Sequence, residues 1–239
     1  MKIPIPPRPA VVEKYLRIPK GSFDHIPHYA RDQALFAIQS VRSMERKRVF
    51  RPGLYYIVLS DLCRSTQASA RLGHDLNRKR VETFILTCIE ALGYFDPRNY
   101  FLPIREIGDA VLILFSSFAD VHDWWITTNS LLGGRNHMWR SEIPKNRFTE
   151  FRLESKTVVH VGEVAYSDGN IPVAQAVNEV FKVEKLFRAN ELGVTDAARL
   201  SIAPVLKDLN LRPARRGSVL LPGSRQKTDV YVVDKNKPE

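Results

Sequence analysis

Only two cysteines, Cys63 and Cys88, occur in the 239 residues. Two thiols build neither a disulfide framework nor a cysteine-rich zinc site. Long apolar runs are also missing. The longest, such as 55–59 and 110–115, fall far short of the roughly 20 residues that a membrane-spanning helix needs. The N-terminus, with its IPIPPRP stretch, has no apolar centre of the kind a secretory leader carries. There is no internal repeat, no zinc-finger spacing and no aromatic RNA-binding signature. These absences predict a cytoplasmic globular protein with neither a membrane nor a nucleic acid among its partners.

What is present is ordinary in bulk and unusual in places. Hydrophobic residues at 44% and charged ones at 26% are enough for a packed core. The formal charge of +10 fits a solvated basic surface or an anionic ligand equally well. The basic residues are scattered, with modest clusters at 46–51, 78–80 and 212–216.

Residues 1–21 are rich in proline and read as an irregular arm. Ala34, Ala37, Ile38 and Val41 recur at helical steps, so a helix is expected over about 27–49. The expected division is therefore an arm and helix over 1–50 and a main domain over 51–239. Within that domain, 54–60 reads as a buried strand. A helix follows, with an apolar stripe of Val81, Phe84, Ile85, Cys88, Ile89 and Leu92. Residues 100–107 and 110–115 form a hairpin around Gly108-Asp109. A helix over 118–132 carries Trp124 and Trp125, a pair more at home in a core than at an interface. A polar, basic loop is expected over 133–146 and a strand over 155–162. After a turn at 167–170 come helices at about 173–189 and 195–202, then strands near 218–221 and 230–233. The order β-α-β-β-α-β-α-α-β-β predicts an α+β sandwich of the ferredoxin-like kind, with helices packed on a mostly antiparallel sheet.

Two acids stand out. LYYIVLSDLCRST runs through apolar residues to Asp61, with Thr66 five residues on. PIREIGDAVLILF joins two apolar runs at Gly108-Asp109. An acid at the end of one buried strand and another in a neighbouring hairpin turn can converge on one point. Paired carboxylates of this kind bind Mg²⁺ or Mn²⁺, with substrate phosphates completing the shell.

Four segments, in order, resemble the class III nucleotidyl cyclases, the adenylate and guanylate cyclase family. LSDLCRST is similar to the family's strand-end motif and REIGDAVLILF to its Gly-Asp hairpin. VVHVGEV is similar to its G-I-H-T-G-E-V strand and AVNEVFKVEKL to its N-x-A-A-R-L-E helix. The resemblance covers about three-quarters of the chain, from Tyr55 to Val233. It implies two divalent ions, Mg or Mn, held by Asp61, Asp109 and the Leu62 carbonyl. One would acidify the ribose 3′-hydroxyl, and both would offset triphosphate charge as pyrophosphate leaves. Backbone amides through Arg64, Ser65 and Thr66 would cradle phosphates at a helix start. Asn178 and Lys182, four apart on one helix face, would orient the ribose and stabilise the transition state. Lys182 replaces the family's Arg and lacks its bidentate fork. Arg225 or Lys227 falls near the family's phosphate-contacting Lys, or simply belongs to a surface loop.

The base-reading positions depart from the family. Arg105 stands where adenylate cyclases carry Lys and guanylate cyclases carry Glu. Arginine only donates hydrogen bonds, so it suits acceptors such as the two carbonyls of uracil, or O2 and N3 of cytosine. The second position falls on Ile171, which offers no polar group, and the segment between Gly162 and Asn178 is shortened. These departures resemble the stand-alone pyrimidine cyclases of bacterial Pycsar anti-phage systems. The resemblance implies conversion of UTP or CTP to the cyclic monophosphate, with UTP favoured, and a separate effector protein that binds the product. The family's sites form between two domains, so a head-to-tail homodimer is implied, with the aspartates from one protomer and Arg105, Asn178 and Lys182 from the other. An adenylate cyclase with unusual base contacts, a non-catalytic nucleotide-binding module and a basic nucleic-acid-binding protein are the other readings.

Overall fold

The computed structural model describes residues 34–41, 52–166, 172–173, 175–221 and 223–235. The proline-rich arm, most of the expected 27–49 helix, the 167–170 turn and Ile171 lie outside them, as does the side chain of Arg105. Contacts divide the chain into two compact units. One comprises 1–48, 64–97 and 127–154, the other 49–63, 98–126 and 155–239. No helix among the described residues is long and apolar enough to cross a membrane.

The second unit holds the whole sheet. Its strands are β1 (Gly53–Leu62), β2 (Tyr100–Ile107), β3 (Ala110–Phe115), β4 (Ser155–Tyr166), β5 (Pro172–Val173), β6 (Leu192–Thr195), β7 (Leu211–Leu220) and β8 (Lys227–Lys235). The order across the sheet is β2-β3-β1-β4-β6-β8-β7, with β5 paired to β4. Among the described residues only β4 and β6 run parallel; the other pairs are antiparallel. The expected α+β sandwich is therefore the observed fold. β1 lies centrally, between β3 and β4, which explains why its run of Tyr, Ile, Val and Leu is nearly continuous rather than alternating.

Side chains alternate across β1. Ile57 and Leu59 join Leu112, Leu114 and Val158 in a core closed by Ala176, Val177, Val180 and Val183 of helix α5 (Gln175–Val183). Asp61 continues that face at the strand's end. Tyr56 points the other way, to Ser201 on α6 (Asp196–Leu206) and the Phe118 ring. α5 sits very close to β4: a Cβ on Gly162 would lie 2.4 Å from the Ala176 Cβ.

The first unit is helical in its described part. It contains α1 (Ser65–Leu72), α2 (His74–Leu92), the second half of α3 (Phe118–Glu142) and α4 (Phe148–Phe151). The apolar stripe expected on α2 is buried from Phe84 to Leu92, with Val81 half-buried, and 34–41 is helical. Ala37 approaches Gly93 so closely that a Cβ there would sit 2.6 Å from its own.

Two expectations need correction. The polar loop placed at 133–146 is helix as far as Glu142. Several of its residues are committed to tertiary partners. Arg135 is buried and bonded to Thr87 and Glu90, Trp139 is fully buried, and Asn136 exchanges two hydrogen bonds with the Leu153 backbone. Those contacts outweigh the weak helix propensity of Gly133-Gly134. The helix placed at 173–189 ends at Val183 in a 3-10 turn, Glu184–Leu186, and β6 was not expected. Its four buried residues are too few to show a period.

Candidate active site

Asp61 is brought beside Asp109 by the sheet. β1 pairs with β3 so that Asp61 stands opposite Ala110, and the Leu62 N–H donates to the Asp109 carbonyl at 3.0 Å. Gly108, at φ 67°, makes the left-handed turn that carries Asp109 round to this place. On the other side Asp61 stands opposite Lys156 of β4. The Lys156 Nζ lies 3.2 Å from Asp61 Oδ2 and also grips Glu184 Oε1, just past the end of α5.

The electrostatics of this cluster are unusual. Burial, then the negative charges of Asp109 and Glu184, push the Asp61 carboxyl up to about 7 against the pull of Lys156. Burial works to lower the Lys156 ammonium, but its hydrogen bonds and charge attraction to Glu184 and Asp61 prevail and hold it above the usual lysine range. A carboxylate that is costly to ionise beside two further acids is a place where a cation is stabilising. The oxygen donors, two carboxylates and the Leu62 carbonyl, suit a hard divalent ion, so the residues fit the expected metals. Among the described residues no three His, Cys, Asp or Glu side chains are already gathered in a metal-ligating set.

Asn178 and Lys182 are exposed on α5, with the buried valines on the opposite face. No hydrogen bond or ion pair among the described residues ties either to Asp61 or Asp109. Arg225 is exposed in the bend between β7 and β8, after Gly223 at φ 76°. In the helical unit, Arg64 adopts a left-handed conformation, φ 61°, just before α1, and no side chain caps the helix. Its guanidinium donates to the Glu150 carbonyl at 2.8 Å. Ser65 is buried and Thr66 exposed.

Sequence reasoning missed Lys156 and Glu184. The signal for Lys156 was a lysine two residues before Val158, hence on the same face of β4. Glu184 lies two residues past Lys182, on the last residue of the N-x-A-A-R-L-E pattern that AVNEVFKVEKL resembles, and that match was its signal.

No family model matches the sequence, and no curated protein does. Solved structures do. The adenylyl cyclase CyaB from P. aeruginosa aligns with a TM-score of 0.60 at 13% identity, over 79% of this chain and 98% of its own. An adenylate cyclase from Trypanosoma brucei, solved in its monomeric state, gives 0.57 at 15%, over 76% and 89%. The guanylate cyclase domain of RhGC from Catenaria anguillulae, solved in complex with GTP, gives 0.51 at 16%, over 77% and 97%. The chain therefore has the fold of the adenylyl and guanylyl cyclases.

Proposed function

We propose that this protein is a nucleotidyl cyclase that converts a pyrimidine nucleoside triphosphate, UTP or CTP, to its 3′,5′-cyclic monophosphate and pyrophosphate. The observation that carries the cyclase reading is the convergence of Asp61 and Asp109 at the end of β1, in an acidic cluster that favours a cation. Asp61, Asp109 and the Leu62 carbonyl would hold two Mg or Mn ions. When bound, such ions make the ribose 3′-hydroxyl a better nucleophile and neutralise the triphosphate. Lys156 serves as the resident counter-charge of the free enzyme. Once Asp61 is released, its ammonium, still tethered to Glu184, is available to a phosphate oxygen.

Asn178 and Lys182 act on the substrate from a second copy in a head-to-tail dimer, Asn178 on the ribose and Lys182 on the charge that develops as pyrophosphate leaves. Their exposure on α5 supports that role, because a side chain that must reach a partner's substrate cannot be packed in its own core. Arg64, Ser65, Thr66 and Arg225 are assigned to phosphates by sequence resemblance alone.

The pyrimidine preference rests on Arg105, a pure donor, and on apolar Ile171. A role in anti-phage defence with a separate effector rests on the same two positions. An adenylate cyclase is the second reading, favoured by the adenylyl cyclases of the same fold. The test is incubation of the protein with each of ATP, GTP, CTP and UTP plus Mn²⁺, with products identified by mass spectrometry beside an Asp61→Ala control. A cyclic pyrimidine nucleotide absent from the control is the expected result. Cyclic AMP would overturn the base assignment, and no cyclic product from any triphosphate would overturn the cyclase reading.

A further inference from the structure

His160 is buried on the face of β4 that meets α5, and both its ring nitrogens are engaged. Nε2 lies 2.9 Å from Glu179 Oε2 and Nδ1 lies 2.8 Å from Thr195 Oγ1. Thr195 is the N-cap of α6 and accepts the Ala198 N–H at 3.4 Å. The Glu179 carboxylate only accepts, so Nε2 carries a proton and donates it there; in the neutral ring Nδ1 then accepts from the Thr195 hydroxyl. Burial holds the ring below the usual histidine range against the attraction of Glu179. The second Glu179 oxygen accepts from Gln175 Nε2 at 2.9 Å, one turn back on the same helix. Both ring nitrogens of His160 and both carboxylate oxygens of Glu179 have partners within the fold.

α5 has only nine residues, about two and a half turns, and its buried face of Ala176, Val177, Val180 and Val183 packs on the sheet. Apolar packing is non-directional, and two contacts to β4 refine the seat it gives. The Gly162–Ala176 contact sets how close the helix lies. The His160–Glu179 bond, one turn further along, sets which way it faces. Glu179 directly follows Asn178 and precedes Lys182 by three residues. A 20° rotation of α5 would move side-chain atoms at the roughly 5–6 Å helix radius by about 2 Å. A misplacement of about 1 Å can cost on the order of 100-fold in rate.

We infer that His160 is a positioning residue: through Glu179 it locks the rotation of α5 and so aims Asn178 and Lys182 at the substrate. The inference rests on the cyclase reading above for its catalytic readout. It has a second readout that does not.

The experiment compares Glu179→Ala, Glu179→Gln, His160→Ala and the double alanine variant in the full chain. Cyclisation kinetics are read beside hydrogen exchange across 175–183. Glu179→Ala should lower kcat by about 10- to 100-fold, as loss of a supporting partner does elsewhere, with KM within about threefold. It should also speed exchange in 175–183 while β4 stays protected. Glu179→Gln, which still accepts the His160 proton, should restore kcat to within about threefold of wild type. His160→Ala should add nothing on the Glu179→Ala background, because the two act through one bond. A folded Glu179→Ala with wild-type kcat, or equal losses from His160→Ala on both backgrounds, would overturn the inference. Should His160→Ala fail to fold, the two Glu179 variants decide alone. Should the wild type make no cyclic nucleotide, the proposed function fails, and exchange in 175–183 decides this inference: faster in Glu179→Ala but not in Glu179→Gln supports it, and unchanged in both overturns it.

Discussion

Replacing Asp61 by asparagine should stabilise the metal-free protein while abolishing its activity. The Asp61 carboxyl titrates at about 7 instead of 3.8. Its folded value lies above its unfolded one, so its contribution to stability is fully present below about pH 3.8 and is lost as the pH rises to about 7. A shift of roughly three units is worth about 4 kcal/mol at 1.36 kcal/mol per unit. That is an upper bound, because the charge is shared with Glu184 and Lys156, and the substitution leaves Lys156 with Glu184 alone. The expected gain for Asp61→Asn at pH 8 is therefore about 2 kcal/mol, or about 4–8 °C in Tm for a chain of this size. At pH 4.5, where the wild-type carboxyl is already protonated, the gain should fall below about 1 kcal/mol. The assay is thermal unfolding of both proteins in a chelator at the two pH values. Added Mn²⁺ should then raise the Tm of the wild type and not of the variant. An Asp61→Asn protein no more stable than wild type at pH 8 would refute the view that this carboxylate is held at a cost for the sake of a cation.

Other perturbations probe neighbouring parts of the account. Lys156→Met removes the ammonium between Asp61 and Glu184 and should destabilise the metal-free protein by about 2–4 kcal/mol at pH 8, less at pH 5, as read by urea denaturation. Gly162→Ala places a Cβ 2.4 Å from that of Ala176. It should cost about 1–3 kcal/mol by overpacking and lower kcat by about tenfold or more by shifting α5, as steady-state kinetics would show. In the helical unit, Arg135→Met strands the buried Glu90 carboxylate and should cost about 3–5 kcal/mol. Adding Glu90→Gln should recover most of that loss in chemical denaturation.

The legible parts of the sequence were those whose cause is local. The apolar run into Asp61 and the Gly-Asp turn of the β2–β3 hairpin announce themselves, because a buried strand and a left-handed turn each leave a short, typed signature. Their convergence followed from the order of elements. The illegible parts depend on distant partners. α3 continues through two glycines because Arg135 finds Thr87 and Glu90 some 45 residues away. The Lys156–Glu184 pair joins the start of β4 to the end of α5, a contact that no spacing within either segment reveals. His160 lay in plain view inside VVHVGEV, yet its role depends on Glu179 and Thr195, which only the folded sheet brings to its two nitrogens.

The most direct test of a cyclase site shared between two copies is complementation. Asp61→Ala and Asn178→Ala proteins, each inactive alone, are mixed, dissociated and reassembled, then assayed with the nucleotide that the wild type cyclises. Random pairing in a head-to-tail dimer makes about half of the dimers mixed. Each mixed dimer has one intact site and one doubly impaired site, so about a quarter of wild-type activity should return. A mixture as inactive as its components, with mixed dimers demonstrated by native mass spectrometry, would contradict the account.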